Sequence, residues 1–501
     1  NLTCANLDVL AGGNLATSTY SINATGAAEV NGTLNASQGG DQWFGSMTIQ
    51  SGGTHEATSG TTNVTGNVIV TGTYDSTANG TDTFGYLKTN SGGVYRATGG
   101  TTTITDESSN YAVWIGDSST FSANGGTINI ITQDETYLYI RNSASFYDLI
   151  LDTSANFYFA NNIVVANDLN VTSGTIMTVT GTYTKTVTGD VIINGGQLGR
   201  AAESGARSFG SLTINSGGTY YATSGTTTLT NESGSGFAYI RNGGTYTHNS
   251  GTMKVTTPTV TILYDASGSG NLYNLIVNTS TDNTILWRKS GYIIDNDLTI
   301  NSGIFGAFDG NDDLTVTGDV DVIGTLLGAT SEMSMGSLII NSGGNYSATS
   351  GTTTINSSLS NAGTYTHNSG TTTFNNDTVA QITGNTTFYS LNTNSAVFNS
   401  SDDNITIASG GTLTQNGNIT AFVLNILGTM ATGAGEKVTF DDSPQAGFEG
   451  TGALNIAGSS GNLANITNAG TTEWTMPHPT LNSTWDYVAV SYGNNTGTEA
   501  I

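Results

Sequence analysis

Apolar and polar residues alternate along this chain in short runs, and each run closes on glycine. Leu212-Thr213-Ile214 leads into Asn215-Ser216-Gly217-Gly218, and Leu338-Ile339-Ile340 leads into Asn341-Ser342-Gly343-Gly344. Alternation sends every second side chain to one face of a strand. The glycines supply the positive φ that a tight corner needs. Helical periodicity is nowhere sustained, and the density of Gly, Thr and Asn disfavours helix further. The pattern predicts short strands joined by tight corners throughout.

The runs repeat. Phe209-Gly210-Ser211-Leu212-Thr213-Ile214 and the residues through Thr228 recur from Met335-Gly336-Ser337-Leu338 onward, with earlier forms starting at Phe44 and Phe84. Thr89 to Ile214 spans 125 residues, and Ile214 to Ile340 and Ile340 to Ile466 each span 126. Leu149-Ile150-Leu151 matches Leu275-Ile276-Val277 at the same 126. A shorter echo lies inside: Gly217-Gly218-Thr219-Tyr220 returns as Gly243-Gly244-Thr245-Tyr246, 26 residues later.

One strand-turn unit per short period is the mark of a solenoid, in which no unit buries its face alone and stacked units share a core. The expected fold is all-β: a parallel β-solenoid (β-helix) of stacked coils of roughly 20–26 residues, grouped in long repeats of about 126 residues. Residues 1–470 read as continuous solenoid, with long repeats near 44–168, 169–297 and 298–465. Residues 471–501 depart from the pattern; Trp474, Pro477, His478, Pro479, Trp485 and Tyr487 cluster there as a cap or subunit contact. At the other end, Asn6 to Gly13 already reads as a coil without a cap. A string of β-sandwich domains would suit the long period, but it would not require the 26-residue echo.

Composition sharpens this picture. Hydrophobic residues make up only 36% and charged residues 10%, while Ser plus Thr reach roughly 27% and Gly numbers 67. A thin core needs few large apolar side chains. With 4 Pro and 11 Lys plus Arg, the chain lacks the vocabulary of disorder. Its net charge of −26 argues against nucleic acid and anionic lipid as partners. No apolar run reaches transmembrane length. The lone cysteine, Cys4, excludes an internal disulfide and reads as a small buried residue. Nineteen Asn-x-Ser/Thr sequons occur, against about fourteen expected by chance, so they permit glycosylation without demonstrating it.

Candidate chemistry is sparse. The acidic pairs are Asp312-Asp313, Asp402-Asp403 and Asp441-Asp442, but neighbours on a strand point to opposite faces. His248 and His367 hold one place in the echoed Gly-Thr-Tyr-Thr-His-Asn-Ser-Gly, which suits a structural position better than a unique catalytic one. Asp309, Asn311 and Asp313 offer oxygens at alternate positions, and calcium is the metal such oxygens suit. No catalytic or cofactor-binding residue is assigned. Tyr220, Tyr246, Tyr346 and Tyr365 follow glycine corners, where ring packing between coils is favoured over sugar stacking.

The strand-Ser-Gly-Gly-x-Tyr units, Leu212 to Tyr220 and Leu338 to Tyr346, resemble those of secreted β-helix surface proteins. These include autotransporter passengers, filamentous adhesins, and archaeal or bacterial sheath and surface-layer proteins. The resemblance covers most of residues 1–470 and implies an exported, elongated, protease-resistant protein at the cell surface. The expectation is an extracellular structural or adhesive protein without enzymatic activity, whose partners are copies of itself and surface glycans. The alternatives are a β-helix enzyme acting on acidic polysaccharides and a carbohydrate-binding adhesin.

Overall fold

The computed structural model describes all residues except 79, 107–109, 142–143, 231–239, 257–260, 266–268, 281–283, 290, 308, 376–378, 395–396, 433–434, 441–446, 450–452, 458, 461–462, 470–483, 487, 492–498 and 501. Every element among the described residues is a strand. Parallel strands stack about 21 residues apart and make a β-solenoid of about 19 turns. The 26-residue echo is one long coil, in which Tyr220 pairs with Tyr246. In that same coil Leu212 pairs with Ile240, 28 positions on.

Two compact units are present, residues 1–254 with 264–270, and residues 255–263 with 271–501. In the first, each coil carries three strand segments. Gln42–Ile49 is a single strand whose register shifts between Phe44 and Met47, so its two halves line two faces. Thr54–Glu56 forms the third face, in a six-stranded sheet with Asn14–Ala16, Thr33–Asn35, Thr73–Asp75, Val94–Arg96 and Thr120–Ser122. In the second unit, a ten-stranded sheet runs from Tyr292–Ile294 to Thr484–Asp486.

Inward side chains form columns, one residue per coil. Met47, Val68, Leu87 and Val113 are direct partners on successive coils, and all are fully buried. Ile300, Val322, Ile340 and Asn361 make a column in the second unit. Ile193, Ile214 and Asn242 make another in the first. Parallel pairing at the usual ~4.8 Å brings these side chains into contact along the stack.

The Ser-Gly-Gly corner uses its glycines for different reasons. At Asn341 to Gly344 the Gly344 N–H donates to the Asn341 carbonyl over 2.8 Å. Gly343 has φ of +85° with open space where a side chain would stand. Gly344 has an ordinary φ, but an added Cβ would sit 2.2 Å from the Val322 carbonyl of the preceding coil. One glycine is needed for its dihedral, the next for the closeness of the neighbouring backbone.

Leu2–Cys4, Leu7–Val9 and Asn14–Ala16 form a coil paired with the next one, as the Asn6–Gly13 pattern predicts. Cys4 is free and half-buried. Most of residues 471–501, including Trp474, Pro477, His478, Pro479 and Tyr487, lie outside the described residues. Within that segment Thr484–Asp486 pairs in parallel with Ala453–Ala457, and Val488–Ser491 with Ala464–Asn468. Glu499–Ala500 then pairs antiparallel with Val488–Ser491.

Columns and corners can each be tested by substitution. Ile214→Asp and Ile340→Asp each bury an unpaired charge in place of a fully buried side chain. Each is expected to cost ~3 kcal/mol or more, measured as lost amide-exchange protection in the flanking coils. Unchanged protection would mean these residues do not face the core. Gly343→Ala should cost ~1–2 kcal/mol through its dihedral alone. Gly344→Ala should cost clearly more, because the added methyl must push two coils apart; equal costs would contradict that division.

Candidate functional site

The motif that closes each corner also explains its tyrosine. Tyr220 and Tyr346 point into the core, as do Tyr95 and Tyr246. Their rings pack, tilted, against the equivalents one coil away: Tyr220 against Tyr246 at 5.6 Å, and Tyr346 against Tyr365 at 5.3 Å between centroids. Four of these corner tyrosines, Tyr95, Tyr220, Tyr346 and Tyr365, reach with their hydroxyls the threonine seven residues later. The bonds are Tyr95 to Thr102 at 3.3 Å, Tyr220 to Thr227 at 3.1 Å, Tyr346 to Thr353 at 2.9 Å and Tyr365 to Thr372 at 2.6 Å. Thr98, Thr223 and Thr349 accept from the amide two residues on and fix the intervening turn. These tyrosines are packing and hydrogen-bonding elements of the coil, and their faces are covered by protein.

The echoed histidines are corner residues too. His248 Nδ1 accepts from the Ser250 amide at 2.9 Å, and His367 Nδ1 accepts from the Ser369 amide at 3.0 Å. The turns they hold carry positive φ at Asn249, Ser250, Asn368 and Ser369.

Two of the three candidate calcium residues, Asn311 and Asp313, are engaged with the next coil. Asn311 accepts from the Thr330 hydroxyl at 2.8 Å, and Asp313 accepts from the Glu332 amide at 2.9 Å. Burial, with Asp309 and Asp313 close by, pushes the Asp312 carboxyl above its ordinary range. Asp403 accepts from the Gly384 amide at 2.7 Å. Asp441 and Asp442 lie outside the described residues. Among the described residues no three His, Cys, Asp or Glu side chains gather so as to hold a metal ion.

Among the described residues of the first unit, two buried polar clusters break the repeat. Gln42, Thr62, Asp82 and Thr102 form one inward column, so Asp82 stands where its neighbours carry threonine. It faces the column of His55, Tyr74 and Tyr95, with His55 and Tyr74 ring centroids 5.0 Å apart. Asp82 lies against Tyr74, Ser76 and Thr62, yet neither carboxyl oxygen makes a well-formed hydrogen bond. Burial therefore pushes its pKa up to about 7 and that of His55 down to about 4.

In the second cluster Lys185 and Arg207 are direct cross-coil partners, both inside the core. Glu203 bridges them, bonding Lys185 Nζ and, at 2.8 Å, Arg207 Nη2. Its other oxygen accepts from the Thr178 amide at 2.9 Å. Arg207 also donates to the Tyr221 carbonyl at 2.5 Å and lies over the Tyr220 ring at 5.0 Å. Two cations share one carboxylate, so burial and the Arg207 charge bring Lys185 down to about 7. One long repeat later the corresponding pair is Leu314 and Met333. Basic residues at inward positions of alternating strands, where the repeat has apolar ones, were the sequence signal for this cluster. Its ion-paired side chains are at most 2% exposed, so no substrate reaches them.

No protein-family profile, curated protein or solved structure matches this chain.

The Asp82 cluster predicts a pH dependence. The unfolded carboxyl titrates near 3.8 and the folded one near 7, so between these values the folded chain holds the extra proton. The resulting stabilisation is complete below about 4 and lost as pH rises through about 7. Asp82→Asn does not titrate. Relative to that variant, the native chain should lose on the order of 3 kcal/mol of local stability between pH 5 and pH 8. Amide exchange in Thr81–Thr89 checks this; a pH-independent difference between the two proteins would refute it.

Proposed function

We infer that this chain is a non-enzymatic structural subunit of a cell surface, displayed outside the cell in a filament, sheath or surface layer and assembling with copies of itself. The observation that carries the reading is where its polar chemistry is placed. Tyrosine–threonine bonds, threonine turns and histidine corners each recur in separate coils along the chain and hold coil geometry. The clusters that do break the repeat inside the core, around Asp82 and around Glu203, are closed to solvent. Catalysis needs a unique cluster set in an accessible cleft.

Self-assembly is supported by backbone arithmetic. The coil of Leu2–Cys4, Leu7–Val9 and Asn14–Ala16 hydrogen-bonds through its strands to the coil that follows. A parallel ladder of this kind can join strands of separate chains as readily as it joins coils of one chain. Contacts between unlike ends run on into filaments when they do not close.

Antibody labelling of intact cells viewed by electron microscopy tests location and order together. Label in regular arrays outside the cell is expected; label confined to the cytoplasm would overturn the reading. In solution the full chain should form concentration-dependent assemblies. Removing residues 471–501 should abolish them while leaving strand amides of the earlier coils protected. A full chain that stays monomeric at high concentration would refute self-assembly.

A further inference from the structure

One outward face of the first unit carries an aromatic surface that the repeat does not explain. Tyr111–Ile115, Thr136–Ile140 and Asp148–Phe159 are neighbouring parallel strands. Their outward residues align in two columns. Lys88, Trp114 and Tyr139 are partners in one, and Tyr111, Tyr137 and Tyr158 in the other. All five rings are partly exposed. Trp114 and Tyr139 lie 4.3 Å apart between centroids, Tyr111 and Trp114 4.8 Å, and Tyr137 and Tyr158 4.9 Å with planes only 18° apart. Each ring is fixed by its neighbours, so little side-chain freedom remains to be lost on binding.

The rim is polar and balanced in charge. The Lys88 ammonium sits 5.5 Å from the Trp114 ring centre, and the Arg141 guanidinium 5.1 Å from that of Tyr139. Arg141 pairs with Asp117 at 3.0 Å, and the Tyr137 hydroxyl donates to Glu135 at 3.0 Å. The surface is particular to this repeat. Thr213 and Arg241 are paired one repeat later just as Lys88 and Trp114 are here.

We propose that this face, centred on Trp114, Tyr137 and Tyr139, binds an uncharged polysaccharide. The C–H face of a sugar ring is apolar and flat, and it packs on an aromatic face. Its equatorial hydroxyls then reach the rim, where Glu135 and Asp117 accept and Arg141 and Lys88 donate. Tyrosine suits such a ligand because it joins an apolar body to a polar tip. Charge selects the class: two cations and two carboxylates offset each other at the rim, and the net charge of −26 repels polyanions. The aromatic area suits a few sugar rings better than a protein partner. Five rings of ~200 Å² each, no more than about a third exposed, offer roughly 350 Å², whereas a stable protein interface needs ~800 Å² a side. The proposal is independent of self-assembly: a chain that does not polymerise still presents this face, and an assembling chain need not bind sugar.

Native gel electrophoresis of the full chain through soluble polysaccharides tests it. The neutral gels contain hydroxyethylcellulose, galactomannan or dextran, and an alginate gel supplies the anionic comparison. Retardation is expected in at least one neutral gel and none in alginate. Trp114→Ala and Tyr139→Ala should each weaken it tenfold or more, whereas Tyr20→Ala, an exposed ring elsewhere, should leave it unchanged. Trp114→Arg, which places at this position the residue that the next repeat carries, gives a second variant should the alanine disturb packing. Amide exchange in Thr136–Ile140 reports whether each variant keeps its fold. No retardation in any neutral gel, retardation in alginate alone, or full retardation by folded Trp114→Ala and Trp114→Arg would each overturn the proposal.

Discussion

Everything in this structure depends on the parallel hydrogen-bond ladder that joins each coil to the next. A coil of about 21 residues has almost no interior of its own. Its strand amides and carbonyls find partners only above and below, and its apolar side chains are covered only by their equivalents one turn away. Side-chain columns such as Met47, Val68, Leu87 and Val113 are therefore a consequence of backbone pairing. The same constraint explains how a chain with 36% hydrophobic residues folds: each inward residue serves two coils.

The ladder also sets what corners can be. Adjacent coils approach so closely at the Gly-Gly turns that any Cβ on the second glycine would overlap a carbonyl of the previous coil. Tyrosine can follow such a corner because its ring packs on the ring of the next coil and its hydroxyl returns to a threonine on its own chain. Polar atoms are thus admitted to the interior where the coil geometry supplies a partner. Asp82 is an exception, and its raised pKa reports the missing partner.

Much of this was legible in the residues. Alternation, the glycine pairs and the 126-residue spacing specify parallel coils and their corners. The coil length was less legible. The most visible echo, Gly218 to Gly244, belongs to a coil longer than most. The functional surfaces were harder still, for a physical reason. Alternation tells which residues point outward, but whether Trp114 meets Tyr139 depends on register between coils of unequal length. Here that register shifts between Tyr111 and Val113. Lys185 and Glu203 were missed because their separation of 18 residues is less than a full coil, which no strand pattern connects. The Asp309, Asn311 and Asp313 spacing was visible, but the bonds that engage two of them come from residues on the next coil.

Repetition carries a hazard that the buried triad of Lys185, Glu203 and Arg207 addresses. Leu212 to Tyr220 and Leu338 to Tyr346 are so alike that a folding chain could seat one in the berth of the other and still bury nearly the same apolar surface. The triad makes those berths unequal. A coil bearing Lys185 set against the one bearing Met333 would bury an ammonium with no carboxylate beside it, at a cost of several kcal/mol. The charges thus act as an address label within a chain that otherwise reads nearly the same in several places.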